Sequence, residues 1–375
     1  MKLRILVLGA GFGGLELTSI LSETIGDRLD LTLIDQNDSF YFGFSKLDVM
    51  FGRKSTDAIM IPYKSIEKPG VQFRQETILE IDPLKKCVKT SRATYEADVL
   101  VVAMGANYDI NATPGLAEAN EYYSLAGAEK LREAIPAFTK GHAVVGVCGA
   151  PFKCPPAPSE AALMLHDYLV RAGVRDACTI SLVIPYASPI PPSPDSSKAL
   201  IKAFEERGIK FIPQRKVRSI DPSAKTAVLD DGTELPFDLF LGIPKHVAPD
   251  VVLQSGLAEN GWIPVDKDHL LTKFANVYAI GDVTSVGTPK AGVFAEGAAK
   301  IAATSIIAAF TGSESHATYT GAGSCYIEFG EGKVGRVDVD FFSGPKPFGI
   351  HQEASEMLVE AKEYFGSSRK KRWFE

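Results

Sequence analysis

The chain has 375 residues, 45% of them apolar, enough to fill the cores of two domains and a small third unit. Its formal net charge of −6 argues against a nucleic-acid partner, and its apolar runs read as too short to cross a bilayer. Five cysteines, Cys87, Cys148, Cys154, Cys178 and Cys325, form neither a zinc pattern nor a dense disulfide framework. The first strand begins without a secretory leader, so a cytoplasmic location is expected.

The predicted elements open with a strand, LRILVL, from Leu3. It runs into Gly9-Ala10-Gly11-Phe12-Gly13-Gly14, a helical pattern carrying Leu15, Leu17 and Ile20, and a second strand, LDLTLID, that ends at Asp35. In this strand, GxGxxG, helix, strand, acid order, Gly9 permits the tight turn and Gly11 admits a pyrophosphate to the backbone. Gly14 lets helix and sheet approach closely, and Asp35 would accept hydrogen bonds from a ribose. The phosphates would rest on free amides at the positive end of the helix dipole. Phe12, Gln36 and Ile78 are assigned to the same cofactor site. A dinucleotide follows from this unit, but FAD and NAD remain open at this point.

Two later segments bear on that choice. ADVLVVAMGA, Ala97 to Ala106, reads as a buried strand ending in small residues, with Ala103 and Gly105 at its end. FANVYAIGDVTS, Phe274 to Ser285, is another, ending in Gly281-Asp282 ahead of an Ala-rich helix from about Lys290 to Phe310. The pair resembles the second and third fingerprints of the two-dinucleotide flavoproteins. That resemblance implies FAD, with the Asp282 carboxylate on the ribityl chain. The expected fold class is α/β: two Rossmann-like three-layer domains, the FAD domain split by an inserted second domain, plus a small C-terminal α+β unit. The expected boundaries are 1–105 with 245–312 for the FAD domain, 106–244 for the inserted domain, and 313–375 for the C-terminal interface unit.

The inserted domain opens on a strand, AVVGV, followed by GAPFKCPPAPSE, residues 149–160. Prolines replace the glycines that a second nucleotide would need; they fix the backbone and donate no amide. Cys154 stands just before a helix, whose N-terminus would favour a thiolate. Glu160, in that helix's first turns, could move protons if burial tuned it. An inert packed cysteine and an acid serving the helix dipole are the alternatives that the local sequence leaves open. Beyond lie a strand, TISLVI, a proline-rich loop from Pro185 to Pro194, and a helix ending near Gly208.

Residues 313–375 read as a hairpin, SCYIEFGEGKVGRVDVDFF, a helix over HQEASEMLVEAKEYF, and a basic tail, SSRKKRWFE. Phe341, Phe342, Phe348 and Phe365 read as one aromatic cluster, either core or acceptor pocket. Trp373 and Phe374, among four basic residues, form a candidate membrane anchor.

Phe152 to Glu160, placed after the first strand of an inserted domain, resembles the first redox-cysteine loop of the sulfide:quinone oxidoreductases and of the flavocytochrome c sulfide dehydrogenase flavoprotein subunit. Thr320-Gly-Ala-Gly-Ser-Cys325-Tyr-Ile resembles the second. The resemblance spans essentially the whole chain. It implies that Cys154 and Cys325 form a redox disulfide beside FAD, that Glu160 is the acid/base, and that Lys290 places positive charge near the flavin pyrimidine. Hydrosulfide would be the substrate, sulfur the product, and a quinone or redox protein the acceptor, with peripheral contact at the cytoplasmic membrane face; a homodimer is a further expectation. Departures are specific. Ser124 stands where membrane relatives often carry a further cysteine, and YFGFSKLDVMFG has no cysteine to tether the flavin, so FAD is expected to be non-covalent. No CxxCH haem motif occurs. An NAD(P)H-dependent flavin reductase and an electron-transfer flavoprotein that docks a partner are the alternatives.

Overall fold

The structure, a computed structural model, describes residues 2–375. Leu3–Leu8 is the central strand of a five-stranded parallel sheet. Leu29–Asp35 and then Val71–Gln75 lie on one side of it, and Val99–Val102 and then Val277–Ala279 on the other. Chain progression reverses direction across the sheet at Leu3–Leu8, and a crevice opens beyond its C-terminal end, the usual ligand position in such sheets. Ile5, Leu6, Val7 and Leu8 are all buried because layers pack on both faces. The helices Phe12–Ile25 and Gly292–Thr311 pack together on one face. Ala298, Ala299, Ala302 and Ala303 are buried there, and small side chains allow that close approach.

Residues 107–247 form the insertion, whose entry and exit strands, Asn107–Asp109 and Lys245–Val247, pair with each other. Within it, Gly141–Val147 is flanked by Cys178–Val183 and Leu239–Ile243, with Ile209–Ile212 outermost, all parallel. Both domains are thus Rossmann-like, as the sequence implied. The C-terminal unit is an antiparallel sheet, Gly323–Gly330, Lys333–Asp340 and Phe348–Ser355, followed by one helix, Met357–Phe374.

Four expectations change. The expected helix over HQEASEMLVEAKEYF begins only at Met357, because Phe348–Ser355 pairs with Lys333–Asp340 as a third strand. Trp373 and Phe374 are 0% and 4% exposed and cannot serve as an anchor in this fold. They close the last helical turn onto Phe12, Phe40 and Tyr63, and Trp373 Nε1 donates to Glu16 Oε2 at 2.7 Å. The four phenylalanines are dispersed. Phe341 packs on Phe294, Phe342 on Tyr319 and Phe365 on Phe12 and Tyr326, while Phe348 is exposed. Finally, Gly292–Thr311 is long and apolar enough to cross a membrane by length and composition, contrary to the reading of the apolar runs; its buried alanines make it a core helix.

Candidate functional site

The first wall of the site is the glycine turn. Gly9 has φ +99°, and a Cβ there would meet the Ala103 carbonyl oxygen at 2.5 Å. A Cβ on Gly14 would lie 1.9 Å from the Gly9 oxygen, whereas one on Gly11 would meet no protein atom within 4 Å. Gly14 therefore serves helix packing, and Gly11 keeps the cavity open. No side chain caps the helix that starts at Phe12, so its first amides are available to an anion. Asp35 accepts hydrogen bonds from the Ala10 N–H at 2.8 Å and the Asn37 N–H at 2.9 Å.

The cavity, about 410 Å³ in volume, is lined by Gly9, Gly11, Phe12, Gly13, Asp35, Ala103, Gly105, Gly281 and Asp282. Cys154, Glu160 and Cys325 line it too. Gly14, Gln36, Ile78 and Lys290 lie off its wall. Lys290 is buried; its Nζ donates to the Asp282 carbonyl at 2.5 Å and stands 3.2 Å from the Trp262 ring centroid. Burial, helped by Lys153 and opposed by Asp282, brings its pKa down to about 8. Burial raises the Asp282 carboxyl above its usual range, against the pull of Lys153 and Lys290.

The open turn, the uncapped helix, Asp35 and Gly281-Asp282 on one wall fit a dinucleotide such as FAD. The corresponding turn of the inserted domain differs. Cys154 adopts φ +51°, its N–H donates to the Lys290 carbonyl at 2.7 Å, and its own carbonyl accepts the Ala157 N–H at 2.8 Å. Tyr123 Oη holds the Lys153 carbonyl at 2.8 Å. These bonds hold the loop in a set shape and occupy the Cys154 amide, which a phosphate would otherwise use.

From this loop the helix Ala157–Arg171 carries Glu160 inward, where it is 2% exposed. Its Oε1 accepts the Glu328 backbone N–H at 3.0 Å. Burial lifts the Glu160 pKa to about 7, with Glu328 adding and Lys362, the Glu328 amide and Arg53 opposing. Cys325 comes from the strand Gly323–Gly330, opposite Val337. Burial, with Glu160 and Asp338, pushes its thiol up to about 12. All five cysteines are free thiols.

The helix N-terminus does not make Cys154 acidic. Burial raises its pKa well above the usual thiol value, Glu160 and Cys325 add to the rise, and the Ala157 amide offsets only part of it. In the reduced pair, therefore, the thiol form is favoured. Cys148 is likewise pushed to about 12 by burial and lies off the cavity wall, as a packing role predicts. Glu296 is buried and ion-paired to Arg369 at 2.7 Å and Lys300 at 3.0 Å.

Sequence reasoning missed the cations of the site. Lys46, Lys153 and Lys362 all line the cavity. Lys153 Nζ donates to the Ala106 carbonyl at 2.7 Å and stands 4.8 Å from the Tyr108 ring centroid; Lys46 Nζ donates to the Tyr123 carbonyl. Neither has a carboxylate within 4.0 Å among the described residues. Lys153 could have been noticed as the neighbour of Cys154. Lys46 carried no signal, because only the fold brings the Ser45–Met50 helix to the cysteine loop.

The fold and site define a dinucleotide-dependent oxidoreductase with two thiols at its cofactor cavity. Residues 3–304 match the family model described as pyridine nucleotide-disulphide oxidoreductase, and the chain belongs to that family. Within it, the chain resembles proteins named sulfide:quinone oxidoreductase. The mitochondrial protein of Mus musculus is 25% identical over 95% of this chain and 82% of its own length. That of Dictyostelium discoideum is 25% identical over 88% and 76%. The solved structure of the sulfide:quinone oxidoreductase from Aquifex aeolicus superposes with a TM-score of 0.89 at 21% identity, covering 100% of this chain and 92% of that one.

Proposed function

We propose that the protein is an FAD-dependent, sulfide-oxidising enzyme that works through a Cys154/Cys325 pair and delivers electrons to a quinone. The observation that carries this reading is the convergence of Cys154, Cys325 and Glu160 on the cavity that also contains the glycine turn and Asp282.

Gly9, Gly11, Gly13 and Asp35 would hold FAD at its pyrophosphate and adenosine ribose, and Gly281-Asp282 at its ribityl chain; the segment 41–52 has no cysteine to tether it. FAD, when bound, supplies a two-electron acceptor that can pass electrons onward singly or in pairs. Lys46 and Lys153, without carboxylate partners, favour entry of an anion such as hydrosulfide. Hydrosulfide attacks one sulfur of a Cys154–Cys325 disulfide; a new S–S bond forms, the old one breaks, and a cysteine persulfide and the other cysteine's thiolate result. That thiolate, in a site that favours the thiol, takes a proton from Glu160. As the Cys154–Cys325 bond re-forms, the persulfide S–S bond breaks, its outer sulfur leaves in the zero-valent state, and two protons pass to Glu160 and solvent; FAD, if bound, would be the oxidant for the two electrons released.

Quinone is assigned as acceptor by analogy with the names of the relatives. The peripheral contact that a lipid-soluble acceptor requires, on the cytoplasmic side in this reading, would fall on the C-terminal unit, where Phe348, Ile350, Met357 and Tyr364 are exposed. Anaerobic addition of sulfide or NADH to the purified holoenzyme, followed at the flavin band, tests the proposal. Rapid bleaching by sulfide supports it; bleaching by NADH alone defeats it in favour of the NAD(P)H-dependent reductase.

A further inference from the structure

Glu328 is the point where all three units of the chain meet. Arg53, from the FAD domain, donates both of its guanidinium Nη atoms to the Glu328 carboxylate, each at 2.7 Å. Lys362, from the C-terminal helix, donates to the same carboxylate at 2.6 Å. The Glu328 backbone N–H reaches into the insertion and donates to Glu160 Oε1 at 3.0 Å. Arg53 is itself held by Asp48 at 2.7 Å, so the clamp is anchored at both ends. Planar two-point binding of a carboxylate by arginine fixes orientation as well as charge.

Glu160 is faced from the C-terminal helix by Lys362, from the strand Gly323–Gly330 by Glu328 and Cys325, from the segment after Ser45–Met50 by Arg53, and from its own loop by Cys154. Tyr122 and Tyr123 complete the surroundings, and burial keeps both phenols protonated. Lys362 lines the same cavity as Glu160 and both cysteines. Burial works against the charge on Glu328, but Arg53 and Lys362 overcome it and hold its pKa at about 2. A fixed anion and a fixed cation thus stand beside one buried carboxyl.

We propose that Glu328, clamped by Arg53 and Lys362, is a positioning residue for Glu160, and that Glu328 and Lys362 set with opposite signs the pH at which Glu160 exchanges its proton. Glu328 repels the ionised form and Lys362 attracts it, while the Glu328 amide keeps the Glu160 oxygen aimed into the cysteine cavity. The clamp would also make proton exchange at Glu160 sensitive to the seating of the C-terminal unit on the two Rossmann-like domains. This inference rests on the acid/base role given to Glu160 above.

The test is an infrared titration of the Glu160 carboxylic C=O band in the oxidised holoenzyme, assigned by its loss in Glu160→Gln. It requires no turnover. Lys362→Met should move the titration up and Glu328→Gln should move it down, each by about one pH unit, with Lys362→Arg close to the parent. A structural role alone would give shifts of one sign, or none, and no rescue by arginine. Either result overturns the proposal, as does a Lys362→Arg variant that behaves like Lys362→Met. If Glu328→Gln does not fold, the contrast between Lys362→Met and Lys362→Arg decides. If the variants show the predicted shifts but the parent protein does not oxidise sulfide, the clamp is retained and the functional reading is rejected.

Discussion

Glu160 Oε1 and the Glu328 backbone N–H lie 3.0 Å apart across 168 positions of sequence, joining the first turn of the helix that follows Cys154 to the strand that carries Cys325. One hydrogen bond therefore ties the acid to both cysteine-bearing segments.

The burial of Glu160 at this junction gives stability a pH dependence. The folded pKa of Glu160 is about 7, above that of an unfolded glutamate, so the native state holds the extra proton between about pH 4.5 and 7. The native state loses stability as pH rises through that window, by about 3 kcal/mol at most. Glu160→Gln, which keeps the shape without the charge, should unfold at higher denaturant than the parent at pH 8, with the gap closing towards pH 4.5. Denaturant titrations at the two pH values check this.

The cysteine pair should be required as a pair. Cys154→Ser and Cys325→Ser should each abolish bleaching of the flavin band by sulfide while leaving the oxidised flavin spectrum in place. Mass spectrometry of the oxidised parent should find residues 154 and 325 linked, with or without extra sulfur. An unlinked pair in active enzyme would remove the proposed chemistry.

Two glycines only three positions apart should fail differently. At Gly14 a Cβ would strike the Gly9 oxygen, so Gly14→Ala should lower both stability and flavin content. The Cβ of Gly11→Ala would meet no protein atom but would enter the cavity, so that variant should fold normally and purify with less flavin. Thermal melts of the flavin-stripped proteins, paired with flavin-to-protein ratios, separate the two effects.

The C-terminal aromatic residues should prove structural. Trp373→Ala removes a fully buried indole and its bond to Glu16, itself 1% exposed, and should cost about 3–5 kcal/mol. Calorimetry should show a lower melting temperature. Vesicle binding, if the protein shows any, should not change in proportion to the lost indole.

Local pattern determined much of this protein. GAGFGG in its strand–turn–helix setting, Asp35, Gly281-Asp282 and the proline-framed Cys154 are short-range signals, because backbone geometry and helix starts depend on adjacent residues. Two α/β domains, and one cavity lined by the glycine turn, Cys154 and Cys325, could be anticipated from them. The proton affinities could not. Cys154 reads in sequence as a thiolate at a helix start, but burial reverses that, and Glu160 from the following helix and Cys325 from a distant strand add to the rise. Trp373 and Phe374 read as a membrane anchor for the same reason: a basic aromatic tail looks solvated until the fold supplies Glu16 and the Phe12–Phe40 aromatic wall to cover it. Lys46, Lys362, Arg53 and Glu328 became part of the site only in three dimensions. Charge and desolvation act through space, and the tertiary structure alone decides which charges share one low-dielectric cavity.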